Sequence, residues 1–357
     1  MQHTFIIWAA VPALFLGCRQ AAVFHVIDEA AWAAVQTGST ASLRGLAVVD
    51  AQVVWIGGAG GTLRRTVDGG HTWQDVAPPG SEACDFRDIE AFDAETALAM
   101  VAGQPARVYR TTDGGNSWKV VHEDVRPEAF FDAMAFDGER GALFGDPIDG
   151  AFCVSTSDDR GVTWQPMANR AVPRPVAGEA AFAASGTCVA FGPVRDDHAG
   201  RSPVLIATGG GASRLLVLAS DERSSTALPL LQGAPSQGAF SLAFAHANER
   251  DGRGVVVGGD YQDPQRSDGT AAWTEDGGRT WHPSANGAGG YRSAVVWIER
   301  EQVLAVGSHG ASVSSDGGRT WRPFGSEGYH SVGKGDDGRI WACGSEGRVA
   351  RLVMPGR

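Results

Sequence analysis

Lysine and paired cysteine are the two conspicuous shortages in this chain of 357 residues. Of 30 basic residues only Lys119 and Lys334 are lysines, and no basic run occurs anywhere. With 41 acids the formal net charge is −11, so a surface that neutralises nucleic-acid phosphates is excluded. None of the five cysteines has CxxC spacing, which argues against zinc. No GxGxxG follows a strand and opens a helix, and "GGAGG" (57–61) lies in a hairpin context where no helix N-terminus meets a pyrophosphate. The expectation is no metal and no cofactor.

Glycine, by contrast, is abundant: 49 residues, against a usual share of about 7%. Many glycines with few long apolar periods predict short strands joined by tight turns. The N-terminus reads differently. "FIIWAAVPALFLGC" (5–18) is an apolar run of signal-peptide length, too short to span a bilayer comfortably. It ends in Leu16-Gly17-Cys18, which resembles a bacterial lipoprotein cleavage site with Cys18 as the lipid-bearing residue. The expected organisation is a signal peptide over 1–18, possible lipidation at Cys18, a linker over 19–31 and one domain over 32–353. Export to the periplasm, free or lipid-anchored, follows from that reading. Cys84, Cys153, Cys188 and Cys343 then remain, as scattered thiols or in one of three pairings.

A repeat dictates the architecture. "RTVDGGHTW" (65–73) has near-copies "RTTDGGNSW", "STSDDRGVTW", "WTEDGGRTW" and "SSDGGRTW". Their acids, Asp68, Asp113, Asp159, Asp276 and Asp316, lie 45, 46, 117 and 40 residues apart. The long gap accommodates one further unit whose acidic turn has decayed, around 215–229. Upstream of each turn an alternating run begins, at "LRGLAVV" (43–49), "FRDIEAF" (86–92), "FDAMAF" (131–136), "GEAAFAA" (178–184), "FSLAF" (240–244), "YRSAVVW" (291–297) and "YHSVG" (329–333). Period-2 strands broken at even spacing by Gly and Asp describe an antiparallel all-β repeat. Four strands per unit of about 45 residues, repeated seven times, predict an all-β, seven-bladed β-propeller. The seventh unit lacks a fourth strand, and "WAAVQ" (32–36) is expected to supply it, closing the ring with N- and C-terminal strands in one blade.

Each acidic turn carries Ser/Thr two residues before the Asp, a Gly two after it, Ser/Thr four after it and then a tryptophan: Trp73, Trp118, Trp164, Trp281 or Trp321. This matches the Asp-box, or BNR repeat, of sialidase-type propellers. Five equivalent acids make no sense as catalytic groups. The carboxylate is expected to bond its own turn while the tryptophan wedges between blades. A calcium loop is excluded, because the alternating oxygen ligands and closing Glu are missing.

The boxes join third to fourth strands, so function is expected on the opposite rim, where the first strands open into the central channel. Reading that position gives Arg44, Arg87, Asp132, Glu179, Phe240, Arg292 and His330, and loops after the second strands add Asp146, Asp260, Tyr261, His309 and Glu346. Three converging arginines suit a carboxylate. The alternative is that mutual salt bridges and channel water satisfy these groups.

Beyond the boxes, "FRDIEAFDAETALAM", "FDAMAFDGERGALFGDP", "GEAAFAASGT", "FSLAFA" and "GGYRSAVVW" resemble the photosystem II stability and assembly factor family and its bacterial relatives, over about residues 32–353. That resemblance implies a seven-bladed propeller acting as an assembly chaperone, with an arginine patch that docks a membrane-protein partner; Arg44, Arg87 and Arg292 are the positions for such a patch here. A monomer is expected. The competing expectation is a sialidase-like glycoside hydrolase or carbohydrate-binding propeller, casting Arg44, Arg87, Arg292, Asp132, Glu179 and Tyr291 in catalytic roles. Against it, "FRDI" (86–89) lacks the proline of the sialidase motif.

Overall fold

A computed structural model describes residues 27, 30–194, 201–219, 223–245 and 252–354; the leader and Cys18 lie outside them. Strand after strand is a short apolar run ended by glycine or a box, and the antiparallel hairpins stack into seven blades. Blade 1 comprises Leu43–Val48, Val54–Gly58, Leu63–Thr66 and Gln74–Asp75. Blade 2 comprises Phe86–Ala91, Ala97–Val101, Ala106–Thr111 and Lys119–Asp124. Blade 3 comprises Phe131–Asp137, Arg140–Ile148, Ala151–Ser157 and Gln165–Pro166. Blades 5 and 6 open at Gln237–Phe244 and Ala294–Glu299 and close at His282–Pro283 and Arg322–Gly325.

Blade 7 is assembled from both ends of the chain. Ala31–Val35 pairs antiparallel with Val349–Val353, placing Trp32 opposite Leu352. Closure therefore occurs as the residue pattern predicts, with the N-terminal strand as the outer strand of that blade.

Blade 4 departs from expectation. Its strands are Val189–Phe191, Val204–Ala207, Arg214–Leu218 and Arg223–Ala227, so its innermost strand starts eleven residues after the alternating run at 178. Glu179–Ala180 instead pairs with Gly209–Gly210, which joins the blade 5 sheet at Gly238. Apart from Phe182, "AFAASGT" (181–187) consists of small residues, and this segment crosses the channel rather than packing in a sheet. Its fourth unit without an acidic turn is nonetheless present, where the long gap between boxes places it.

The core lies between blades. Second strands such as Val54–Gly58 and Ala97–Val101 are buried along their whole length, as strands covered on both faces must be. Trp118 packs edge-to-face on Trp55 of the preceding blade, centroids 6.3 Å apart, and its Nε1 donates to the Val76 carbonyl at 2.7 Å. Trp73 meets Trp341 of blade 7 at 6.3 Å, and Trp32 meets Phe324 of blade 6 at 6.2 Å. Cys84, Cys153, Cys188 and Cys343 are free thiols, three of them buried.

Candidate functional site

In the first box, Asp68 Oδ1 accepts from Thr66 Oγ1 at 2.8 Å and from the Thr72 amide at 2.9 Å, while Oδ2 accepts from Thr72 Oγ1 at 2.6 Å. Thr66 Oγ1 in turn accepts from the Gly70 amide at 2.9 Å. Asp113, Asp159, Asp276 and Asp316 repeat the pattern within 0.2 Å. Hydrogen bonds from Thr72 lower the Asp68 carboxyl to about 2, and the other four are also held below the ordinary value. Each carboxylate is saturated by its own turn, which leaves it a structural acid.

On the opposite rim the chain uses β-bulges to aim side chains. Strand register skips Arg44, Arg87, Asp132 and Phe240 in blades 1, 2, 3 and 5. A bulge bends its strand and re-aims the extra residue, which is why one sequence position recurs as a channel-mouth position. In blade 4 the same register falls on Thr187, because Cys188 accepts from the Ala207 amide as Asp88 pairs Met100 in blade 2. Glu179 does not hold the equivalent place.

Arg44 and Arg87 come together. Arg44 donates to the Ala184 carbonyl at 3.2 Å and Arg87 to the Ala183 carbonyl at 3.4 Å. Arg87 Nε also bonds Asp85 at 2.7 Å, and both members of that pair remain partly exposed. Burial and the neighbouring Arg87 charge lower the Arg44 pKa. Arg292 is elsewhere: its guanidinium turns into blade 6, donating to the Tyr291 and Gly289 carbonyls and to Ser312 Oγ. It is 4% exposed, and desolvation lowers its pKa to about 10. The expected convergence of three arginines is thus corrected to a pair, since the Arg292 side chain folds back on its own blade.

Glu179 is buried beneath Arg214. Oε1 accepts from Arg214 Nε at 2.9 Å and Thr208 Oγ1 at 2.6 Å, and Oε2 accepts from Arg214 at 2.5 Å and the Val176 amide at 2.9 Å. With all four acceptor directions filled it holds blade 4 together, an arrangement unsuited to the catalytic role cast for it. Arg214 gave no signal in the sequence, because its partner is 35 residues away.

The segment 183–187 plugs the channel. Besides the two arginines, Ser185 Oγ donates to the Ser293 carbonyl at 2.7 Å, Ser331 Oγ donates to Ser185 O at 3.1 Å, and Thr187 Oγ1 donates to Ser241 Oγ at 2.7 Å. Those partners belong to blades 1, 2, 5, 6 and 7. Acids gather beside the plug. Asp132 is fully buried and neither of its oxygens has a hydrogen-bond partner. Desolvation, then repulsion from Asp146, raises it well above the ordinary value despite the attraction of Arg87. Burial likewise raises Asp146, which accepts from the Ala181 amide at 3.2 Å, and raises Asp88 and Glu90. His330 is neutral: desolvation lowers it to about 4, and Nδ1 donates to the Leu43 carbonyl at 3.1 Å. Asp260 accepts from Gln237 at 3.0 Å and the Gln262 amide at 2.9 Å. Next to it Tyr261 is 48% exposed, edge-on to Phe182 and Phe240, which stack at 3.8 Å. His309 pairs with its neighbour Ser308, and Glu346 sits in a tight turn at φ 58°.

A ring of seven blades, boxed on one rim and plugged below an arginine pair on the other, defines a seven-bladed BNR-type propeller. The model of the family described as photosynthesis system II assembly factor YCF48 matches residues 24–203, half of the chain, and the chain belongs to that family. Among solved structures it is similar to "YCF48 bound to D1 peptide", at TM-score 0.62 and 16% identity over 90% of this chain and 94% of that one. It is equally similar to YCF48 from Cyanidioschyzon merolae, at 0.62 and 16% over 90% and 98%. The extracellular domain of the BT4673 one-component system from B. thetaiotaomicron shares the fold at 0.60 and 12%, over 90% of this chain and 39% of that one. No curated protein sequence matches this chain.

Proposed function

We propose that this chain is a non-enzymatic, extracytoplasmic propeller that docks a segment of a membrane-protein client and serves assembly or stability of its complex. The carrying observation is that Arg44 and Arg87 already hold two consecutive backbone carbonyls, of Ala184 and Ala183, at the mouth. A client carboxylate is a stronger acceptor than a carbonyl, because a charge-assisted pair to arginine is roughly twice as strong as a neutral bond. Tyr261 and the Phe182–Phe240 stack supply the apolar contact beside it. Family membership and a relative solved with a D1 peptide support the client class. The apolar leader ending at Cys18 supports export and lipid anchoring.

The test has two arms: binding of a D1 peptide to the purified protein, and capture of a client from detergent-solubilised membranes. Arg44→Glu and Arg87→Glu should each weaken both. Equal capture by the folded variants, or no partner and no peptide binding with the wild type, sinks the reading.

A further inference from the structure

Six of the seven inter-blade slots are filled by an indole carried on the chain: Trp32, Trp73, Trp118, Trp164, Trp281 and Trp321. The slot between blades 3 and 4 is not. Strand register identifies what stands there instead. In blade 2 the residue after Trp118, Lys119, pairs with Arg110, which pairs with Leu98. In blade 4 Ser224 pairs with Val217, which pairs with Leu205. Leu98 and Leu205 are each the second residue of their strands, so Arg223 holds the register of the tryptophan.

The consequence is a cleft of about 340 Å³ between the two blades, with Phe191, Val204 and Leu218 on its apolar floor and Arg140, Arg201 and Arg223 on its rim. Phe191 marks it as the vacated slot. Its counterparts Phe136 and Phe244 meet the indoles of Trp164 and Trp281 at 5.9 and 6.4 Å. Among the described residues no indole meets Phe191: the Arg140 guanidinium lies over its ring at 5.0 Å, and the slimmer Met167 packs against the same cluster. Among the described residues no acid pairs with Arg201 or Arg223, and Arg140 reaches Asp137 only at 3.9 Å. Asp158 also lines the cleft, so among the described lining residues three cations face one anion, on a chain of net charge −11.

We infer that this cleft receives an aromatic side chain of a partner protein, flanked by aspartate or glutamate, in the place of the missing tryptophan. The molecule itself supplies the precedent, since its six other slots each take an aromatic ring borne on polypeptide. The arginines come from three separate segments, at positions 140, 201 and 223. Several acids along a chain match that spread better than the lone carboxylate of a small molecule. The site is remote from Arg44 and Arg87 and stands independently of the mouth.

The experiment is a fluorescence-anisotropy titration of the whole protein with a labelled, blocked hexapeptide holding one tryptophan between two aspartates and two glutamates. The complete peptide should saturate, more weakly as salt rises, because exposed charge pairs are screened. Versions with alanine for tryptophan, or amides for the acids, should bind at least about tenfold more weakly, as loss of an aromatic anchor or its charged neighbours does. Arg223→Trp should fill the slot, raise Tm and abolish binding. Arg201→Glu, on an exposed segment, should weaken binding by at least about tenfold and keep the fold. Absence of saturation with the wild type, equal binding of the alanine peptide, or unchanged binding in folded Arg201→Glu overturns the inference. Indole-3-acetate binding as tightly as the peptide overturns the polypeptide source. Arg87→Glu should leave this titration unchanged.

Discussion

Gly186 stands against the Asp88 carboxylate so closely that a Cβ placed on it would lie 2.2 Å from Oδ1. Asp88 cannot retreat, because Oδ2 accepts from the Met134 amide at 2.5 Å. Gly186 also holds φ +75°, which side-chain-bearing residues rarely adopt. Gly186→Val should therefore dislodge the channel plug and cost more than about 1 kcal/mol, the usual level for an incompatible backbone alone. Urea unfolding measures it, and an unchanged midpoint would show that the plug is dispensable.

Arg214 and Glu179 form a buried pair in which the glutamate side chain has no exposure and the arginine 16%. Arg214→Met should destabilise by about 3–5 kcal/mol, because it strands a buried carboxylate. Removing both charges with Glu179→Leu added should recover most of that loss. A double-mutant cycle by chemical denaturation reads the difference.

Asp132 is raised by burial, so the folded state holds its proton more tightly than the unfolded chain does. Stability from this group is then complete below its ordinary value of about 3.9 and declines as pH rises above it. Asp132→Asn should flatten the fall of Tm as pH rises above about 3.9 and raise Tm most at the alkaline end. A parallel pH profile for both proteins would refute the assignment.

The box acids titrate in the opposite sense. Asp68 is held at about 2 by Thr72, so its contribution is present above about 3.9 and lost as pH falls through its folded value. Tm of the wild type should drop steeply across that window, and less steeply in an Asp68→Ala, Asp113→Ala double variant. Asp316→Ala alone should cost about 1.5–3 kcal/mol at neutral pH, the usual range for hydrogen bonds to a charged group, without changing the outcome of the peptide-binding test proposed above.

The ring was legible because its signals are local and repeated. A box needs only the eight residues from Thr66 to Trp73, and strand alternation shows which positions face inward. Arg44, Arg87 and Asp132 are legible from their place at the opening of each blade's first strand, although a bulge rather than a regular strand delivers them to the mouth. Blade 4 misled for a physical reason. "GEAAFAA" alternates like a strand, yet side chains that small can also thread the channel, and only tertiary contacts to five blades decide between the two. Arg292 looked equivalent to Arg44, but a long side chain chooses its direction by the carbonyls within reach. Arg214, Ala183 and Ala184 were invisible because their roles depend on partners far along the chain, 140 residues away for Arg44 and Ala184.

The pairing of Ala31–Val35 with Val349–Val353 sets an order of events. The strand Ala31–Val35 must wait, unpartnered and carrying Trp32, until Val349–Val353 has been synthesised. Until then blade 7 has an open flank that invites pairing with another chain. Folding of this molecule is thus a race between its own last strand and its neighbours, and whatever holds the first strand apart meanwhile decides how much of the protein becomes a closed ring.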